Sequence, residues 1–126
     1  MSNQDLSDLR RQVSQFLHDF KNCLNVTNQL IKPRTVNDET IRKLGYTMWQ
    51  IKDVLYSLTP DDYCHGPKDD QLHGGFYWEF GKEVDGLMVY IKIKIQTSPD
   101  GTDSAVCYSF HESDRPMTNF PLIGVP

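Results

Sequence analysis

The sequence predicts a single α+β domain in which N-terminal helices pack on one face of a small antiparallel sheet. In the first half of the chain, apolar residues recur at steps of three and four, the spacing of one helix face. In the second half they alternate with polar residues, which is the spacing of half-buried strands. A chain of 126 residues can bury its own core without external staples, so we assign residues 1–126 to one domain.

The composition is typical of a globular protein. Hydrophobic residues make up 38% and charged residues 24% of the chain, which argues against disorder. No apolar run approaches the roughly 20 residues that span a bilayer, and the segment Met1–Asp5 lacks the pattern of a secretory signal. The three cysteines form no paired framework of disulfides, which favours a reducing compartment. We therefore expect a cytoplasmic protein without a membrane partner.

The net charge of −4 is unevenly distributed. Residues 1–60 hold eight Lys or Arg and six Asp or Glu, a balance of +2, whereas residues 61–126 hold five and eleven, a balance of −6. An acidic half repels nucleic acid at long range. An RNA-binding function must therefore depend on local cations such as Lys92 and Lys94, or on the N-terminal half.

The first predicted helix lies within residues 1–25 and is additional to a helical part at residues 35–63. Seven apolar residues in this segment follow helical spacing, and basic residues occupy the opposite side. We interpret the basic side as a solvated surface. The apolar residues are Leu6, Leu9, Val13, Phe16, Leu17, Phe20 and Leu24.

A short second helix is predicted after an irregular segment. Residues 25–34 have no clear period, and Pro33 argues against a helix, so we expect a loop or a short edge strand. Thr35 or Asn37 can cap the helix that follows, and Gly45 can end it.

A third helix is predicted by its start signal. Thr47 and Gln50 have the spacing of a capping box, and the helix should continue to about Leu58. Its apolar face is expected to direct four residues inward: Met48, Ile51, Leu55 and Leu58. Pro60 then has the position of the first residue of one further turn.

The rest of the chain is predicted to form a glycine-rich loop, a meander and a tail. Residues 64–75 hold three glycines and one proline and are expected to be a loop. Residues 74–113 form the antiparallel meander of three strands, with a turn at Ser98–Gly101. Residues 114–126 contain three prolines, so we expect an irregular tail that lies across the body.

The dipeptide Asp85-Gly86 predicts the register of the first two strands, because it suits a two-residue type I′ hairpin turn. Counting outward from this turn gives the cross-strand pairs of both faces. On the polar face the pairs are Glu79 with Lys92, Gly81 with Tyr90 and Tyr77 with Lys94. In the third strand alternate residues should face opposite sides of the sheet. We expect Val106, Tyr108 and Phe110 on the core face. We expect Cys107, Ser109 and His111 on the polar face.

The predicted polar face gathers side chains that exchange protons. Tyr90 and His111 are expected on neighbouring strands, close to Glu79 and Lys92. A phenol, an imidazole, a carboxylate and an ammonium group together can perform acid–base catalysis. Each also has a plainer interpretation, since strand tyrosines often pack and opposite charges often form simple cross-strand pairs. The convergence of the four favours a function.

Five short motifs occur in order along roughly residues 44–113. They are Leu44-Gly-Tyr46, Leu58-Thr-Pro-Asp-Asp-Tyr63, Tyr77-Trp-Glu79, Val89-Tyr-Ile-Lys-Ile93 and Ser109-Phe-His-Glu112. Their order and spacing resemble the MqsR family of bacterial toxins, which have a RelE-like ribonuclease fold. The first 25 residues are additional to the core of that family.

The resemblance implies a metal-independent endoribonuclease without a cofactor, which cuts messenger RNA and is held inactive by an antitoxin partner. It leaves open whether the ribosome takes part. By motif, the family's catalytic tyrosine falls on Tyr90. The family's lysine, glutamine and lysine fall on His111, Glu79 and His65, which depart from the pattern. Histidine and glutamate transfer protons at least as readily, so the changed set is chemically coherent.

The mechanism implied is attack of the RNA 2′-hydroxyl on its adjacent phosphate. His111 or Glu79 would take the proton, and a protonated His65 or Tyr90 would assist the leaving 5′-oxygen. Lys92 would offset the charge of the transition state. Lys94 and Tyr77 lie on the same predicted face and are expected to bind the substrate with Lys92.

Other functions stay open at this point. A non-enzymatic interaction module could use the face or edge of the same sheet, with the polar residues serving only as surface. A small-ligand pocket between residues 64–75 and the sheet is a third possibility. A metal site is not expected, because the spacing of Cys64, His65 and His73 matches no standard zinc pattern.

Overall fold

Within residues 2–25 and 30–126, which the structure describes, the computed structural model has three α-helices followed by a four-stranded antiparallel sheet. This is the α+β class that the sequence predicts. The helices are α1 (Asn3–Leu24), α2 (Thr35–Leu44) and α3 (Met48–Tyr56), and a 3₁₀ turn at Pro60–Asp62 leads into the sheet. The strands, in spatial as in chain order, are β1 (Tyr63–Asp69), β2 (Phe76–Val84), β3 (Leu87–Thr97) and β4 (Asp103–Glu112).

The predicted capping signals of the helices are confirmed in part. The Thr47–Gln50 capping box begins α3, and Gly45 ends α2 in the left-handed conformation, with φ of 69°. The prediction that Thr35 or Asn37 caps α2 was wrong. Arg34 holds the cap position without a side-chain bond, and Asn37 is buried.

The side chain of Asn37 connects α2 to β4 instead of capping its own helix. Its Nδ2 donates to the carbonyl oxygens of Lys32 and Tyr108, at 3.1 and 2.9 Å, and its oxygen accepts from the backbone N–H of Phe110 at 3.0 Å. The expectation that Met48 points inward was also wrong, because it is 41% exposed at the first position of α3.

The core lies between the helices and one face of the sheet. Helix α1 packs on β3 and β4, and its Phe16 ring stacks on Trp78 of β2 with centroids 4.9 Å apart. Phe20 of α1 is fully buried together with Phe80 and Phe110 of the sheet. Each such burial stabilises the fold by roughly 1.5–3 kcal/mol. The helices therefore cover one face and leave the other for different contacts.

The prediction that residues 64–75 form a loop was wrong for their first part. Tyr63–Asp69 is strand β1, which pairs with β2 through two register shifts, so the meander begins at Tyr63 and has four strands. Proline and glycine disfavour strands in general, but an edge strand bonds only one neighbour and tolerates bulges and proline. Only residues 70–75 form a turn between β1 and β2.

The predicted register of the β2–β3 hairpin is confirmed. Val84 pairs with Leu87 across Asp85 and Gly86, which have positive φ of 48° and 84° as a type I′ turn requires. Every pair that the turn predicts on the polar face is present: Tyr77 with Lys94, Glu79 with Lys92 and Gly81 with Tyr90.

A bulge in β4 corrects the predicted faces of the last strand. Lys92 pairs with Ser109 and Ile93 pairs with Cys107, so Tyr108 is the extra residue between them. As a result Cys107 lies in the core, whereas Tyr108 joins the polar face; Val106, paired with Lys94, does the same. His111 keeps its predicted place, paired with Tyr90.

The irregular tail is confirmed, and it packs across the body. Met117 and Phe120 lie over Gly81 on the face away from the helices, where a Cβ on Gly81 would meet the Met117 side chain at 2.7 Å. The Asn119 side chain donates to the Cys64 carbonyl of β1 at 3.2 Å. Leu122 is fully buried on the helical side. The tail therefore wraps around the β1 edge of the sheet.

The segment before α2 contacts the opposite edge of the sheet. Ile31 forms an isolated parallel bridge with Cys107 of β4. The remainder of this predicted loop or short edge strand, residues 26–29, lies outside the described residues. Among the helices that the structure describes, none has both the length and the apolar character needed to cross a membrane.

Candidate active site on the open face of the sheet

The face of the sheet away from the helices, here called the open face, carries the predicted catalytic residues. At one end the turn at residues 70–75 folds over β3 and β4, where Asp70 contacts Lys94 and Tyr108. At the other end tail residues 117–120 cover Gly81. Between these two walls lies a band of polar side chains across the four strands, here called the trough. Its floor consists of His65, Tyr77, Glu79, Tyr90, Lys92 and His111.

Tyr90 and His111 lie at the β3–β4 end of the trough. They are directly paired across β3 and β4, and their ring centroids are 5.3 Å apart. Nδ1 of His111 lies 3.0 Å from the carbonyl oxygen of Glu112. Because a carbonyl oxygen only accepts, Nδ1 must carry the proton of this bond, and Nε2 of the neutral ring is then the proton acceptor. This tautomer suits a general base.

Tyr90 is held as a neutral phenol. Burial raises its pKa well above the ordinary value, and the negative charge of Glu79 and a hydrogen bond with that carboxylate raise it further. The phenol therefore keeps its proton at neutral pH and acts as a donor. The base-like ring of His111 and the proton-bearing group of Tyr90 thus stand side by side.

Glu79 links the two halves of the trough. It pairs with His65 on β1 and with Lys92 on β3, and its side chain is only 13% exposed. The predicted cross-strand position of Lys92 is confirmed, but the ammonium group nearest to Glu79 is that of Lys68, at 3.5 Å. Lys92 Nζ instead lies 3.9 Å from the centroid of the Tyr77 ring, a cation–π contact.

His65 lies on strand β1 rather than in a loop, at the far end of the trough. Its Nε2 is 3.4 Å from the amide nitrogen of Asn119 in the tail. Three strand spacings, about 14 Å of backbone, separate His65 from His111. Tyr90 is therefore the nearer partner for His111.

Lys94 does not join the other predicted binding residues. Its side chain is buried beneath the turn at residues 70–75, where Nζ donates to Asp70 at 2.9 Å and to the carbonyl oxygen of Gly74. The hydroxyl of Tyr108 donates to the same Asp70 oxygen at 2.9 Å. Lys94 thus holds the wall of the trough, and its ammonium group is shielded from solvent.

Asp70 organises this wall and was missed by sequence reasoning. It accepts hydrogen bonds from the backbone N–H groups of Leu72 and His73, at 3.3 and 3.1 Å, as well as from Lys94 and Tyr108. Burial alone would raise the pKa of Asp70, but these bonds outweigh it and hold the pKa well below its usual range. An aspartate followed by a glycine-rich turn is a recognisable local signal. Its pairing with a lysine 24 residues later is not.

The cysteines near the site are buried thiols. Burial, with the charges of Glu79 and Asp62, raises the pKa of Cys64 to about 12. Burial likewise raises the pKa of Cys107 to about 12. Both are therefore protonated at neutral pH and are poor nucleophiles. Among the residues that the structure describes, no three His, Cys, Asp or Glu side chains converge in a way that would hold a metal ion.

Comparisons with protein-family models, with curated proteins and with solved structures found no match for this chain. The chemistry of the trough and the order of the sequence motifs are therefore the basis for assigning a function.

Proposed function

We propose that the protein is a metal-independent endoribonuclease that cleaves messenger RNA within the trough. The observation that carries the proposal is the Tyr90–His111 pair. The two ring centroids are 5.3 Å apart, the Glu112 carbonyl accepts from His111 Nδ1 and so leaves Nε2 for the reaction, and the Tyr90 phenol keeps its proton. RNA can be cleaved through its own 2′-hydroxyl when a base and a proton donor lie close together.

In the proposed reaction, His111 Nε2 takes the proton of the 2′-hydroxyl as that oxygen attacks the adjacent phosphorus. The bond from phosphorus to the 5′-oxygen breaks, and the leaving oxygen takes a proton from Tyr90. The products are a 2′,3′-cyclic phosphate and a 5′-hydroxyl. Glu79, on the neighbouring strand, helps to keep Tyr90 protonated by raising its pKa. After cleavage, His111 releases its proton to solvent and the Tyr90 phenolate takes one up from solvent. Each positioned acid or base contributes about 10²–10⁴-fold to such a rate.

The remaining residues of the trough are proposed to bind the RNA strand. Lys92 places a positive charge beside Tyr90 on β3, where it offsets the charge that grows on the phosphate oxygens. Tyr77 supplies an aromatic ring on which a base can stack. His65, at the β1 end, extends this surface and can donate a hydrogen bond to a phosphate.

The biological setting is part of the proposal and follows from the family resemblance. An enzyme that cuts messenger RNA in its own host acts as a toxin and needs a cognate antitoxin that blocks it. A protein that covers the trough would exclude RNA. Messenger RNA also places the activity in the cytoplasm, where the ribosome is a possible further partner.

Incubation of the purified protein with a defined RNA in EDTA tests the proposal. The wild type is expected to leave 2′,3′-cyclic phosphate ends, and the double variant His111→Ala/Tyr90→Phe is expected to leave the RNA intact. His18→Ala, an exposed histidine on α1, is the matched control and should cleave as the wild type does. Cleavage that survives in the folded double variant would remove the proposed site. Absence of cleavage by the wild type, with and without translating ribosomes, would reject the enzyme.

A non-enzymatic interaction module is the second candidate, and one observation favours it. Trp49 on α3 is 77% exposed, next to the 41% exposed Met48. Exposed aromatic side chains are enriched at protein interfaces. An interaction module of this kind would keep its partner affinity in the His111→Ala variant and lose it in Trp49→Ala.

A further inference from the structure

A cavity of about 460 Å³ opens beside His111, between helix α2 and the end of β4. A second cavity, of about 390 Å³, lies on the other side of the same residue and includes Tyr90 and Arg115. The two cavities share His111, Ser113 and Asp114. The trough therefore continues past the proposed base into a partly open pocket at the β4 edge.

The lining of the larger cavity combines donors, acceptors and one apolar side chain. Arg34 and Lys43 provide donors, three carboxylates provide acceptors, and Val36 provides an exposed apolar surface. The carboxylates are those of Glu39, Glu112 and Asp114. A purely phosphate-binding site would be dominated by cations, whereas carboxylates repel phosphate. A nucleobase is uncharged and presents donors and acceptors on its edge and an apolar face, which this lining matches.

The walls of this cavity are anchored before any ligand arrives. Nη1 of Arg34 donates to Ser109 Oγ at 2.8 Å and to the Tyr108 carbonyl oxygen at 3.4 Å. Lys43 Nζ lies 2.8 Å from a carboxylate oxygen of Glu112, whose backbone N–H donates to Thr40 Oγ1 at 2.8 Å. Side chains held in this way lose less freedom on binding, which favours selective recognition.

We propose that this cavity is a base-reading subsite that holds one nucleotide of an RNA strand next to the phosphate cleaved at His111. The inference rests on the proposed function and adds a specificity determinant to it. The volume of the cavity, about 460 Å³, lies in the range of small-ligand sites, roughly 300–1,000 Å³. The Arg34 guanidinium can stack on the base or donate to its edge, and Glu39 can accept from an exocyclic amino group.

Binding of RNA analogues that resist cleavage tests the subsite separately from catalysis. A set of 2′-O-methyl hexanucleotides that differ only in the base at one position lacks the attacking hydroxyl. Fluorescence anisotropy with the wild type should give affinities that differ by roughly tenfold or more between bases at one position. Glu39→Gln and Lys43→Met should bring the four affinities together, because they remove an acceptor and a donor of the cavity.

Two variants on the same helix serve as matched controls. Asp38→Asn and Arg42→Met change exposed charges of α2 that do not line this cavity, so they should keep the base preference of the wild type. All four variants alter exposed side chains, and circular dichroism confirms that they fold. A base preference that is equally strong in Glu39→Gln, Lys43→Met and both controls would overturn the subsite.

Cleavage of the corresponding unmodified RNAs separates failure of the subsite from failure of the enzyme. Cleavage with a base preference that the cavity variants retain would overturn the subsite and leave the ribonuclease intact. Base-selective binding without any cleavage would support the subsite and reject the catalytic proposal. If the wild type shows neither base-selective binding nor cleavage, both the subsite and the ribonuclease proposal are overturned.

Discussion

At the scale of single residues, the positions of two protons decide what Tyr90 and His111 can do. The Glu112 carbonyl assigns the proton of neutral His111 to Nδ1, and burial with Glu79 keeps the Tyr90 hydroxyl protonated. Sequence reasoning identified both residues but left the base open between His111 and Glu79, and the donor between His65 and Tyr90. Hydrogen-bond partners and burial, which the sequence does not contain, favour one choice in each case.

The Tyr90→Phe variant tests the role of that hydroxyl. We expect its single-turnover cleavage rate to fall by about 10²–10⁴-fold, with little change in RNA affinity, because the ring keeps its packing. Since the pKa of Tyr90 is raised, loss of its proton should not slow the wild type as the pH rises from neutral to about 10. Rates across this pH range check both points, with Tyr56→Phe on α3 as the control. An unchanged rate in Tyr90→Phe would contradict the assignment.

The Asp70→Asn variant tests the wall of the trough. It leaves the buried Lys94 ammonium group without a charged partner, so we expect the free energy of unfolding at neutral pH to fall by about 3–5 kcal/mol. The folded pKa of Asp70 lies below its unfolded value of about 3.9. Its contribution is therefore present above that pH and is lost as the pH falls towards the folded pKa.

Urea titrations at neutral and acidic pH measure this effect. The difference between wild type and Asp70→Asn should shrink in acid, because protonation removes the same charge from the wild type. Asp69→Asn, the exposed neighbour on β1, should leave stability nearly unchanged at both pH values. A difference that stays constant with pH would refute the charged pairing of Asp70 and Lys94.

At the scale of helices and strands, the sequence predicted the features that neighbouring residues in the chain determine, such as the register of a hairpin. The Asp85-Gly86 turn specifies the whole β2–β3 register, because a two-residue turn allows only one pairing. Strand β1 was not predictable, since its stability comes from pairing with β2 rather than from its own glycine- and proline-containing sequence. The bulge at Tyr108 was missed for a similar reason. A single extra residue moves each side chain on the far side of the bulge to the opposite face of the sheet, and the alternation of residue types in the sequence does not reveal it.

Gly81 tests the packing of the tail on the sheet. Its missing Cβ leaves room for the Met117 side chain, and an added Cβ would approach Phe120 to 3.1 Å. We expect Gly81→Ala to have a small effect, because the end of Met117 can move. Gly81→Val should destabilise the fold by about 1–3 kcal/mol through overpacking. Urea denaturation of Gly81→Val, Met117→Ala and the double variant checks this. If Met117→Ala relieves none of the loss, the tail does not pack as described.

At the scale of the whole molecule, the trough depends on segments that are far apart in the chain. The turn at residues 70–75 supplies one wall, residues 117–120 supply the other, and α2 extends the trough beyond β4. The sequence predicted the floor residues on β2, β3 and β4, since alternation along strands is a local property, but it placed His65 in a loop. It predicted a tail across the body but not where the two walls would lie, because their positions arise from contacts such as Lys94 with Asp70 and Met117 with Gly81. On this face Lys92 opposes the overall charge of −4, whereas Lys94 is buried against Asp70 and Lys68 lies 3.5 Å from Glu79.

The net negative charge of the protein repels RNA, whereas Lys92 attracts its phosphates. We therefore expect RNA binding to depend only modestly on salt concentration. Two or three phosphates along the trough would give a slope of log affinity against log salt of about −1.4 to −2.1, since single strands contribute about 0.7 per phosphate. Lys92→Met should lower the slope by about 0.7, whereas Lys52→Met on α3, on the helical side, should leave it unchanged. Titration of a 2′-O-methyl RNA at several salt concentrations measures both slopes. Equal slopes in the wild type and Lys92→Met would mean that the phosphates do not pass Lys92, and would move the RNA path off the open face.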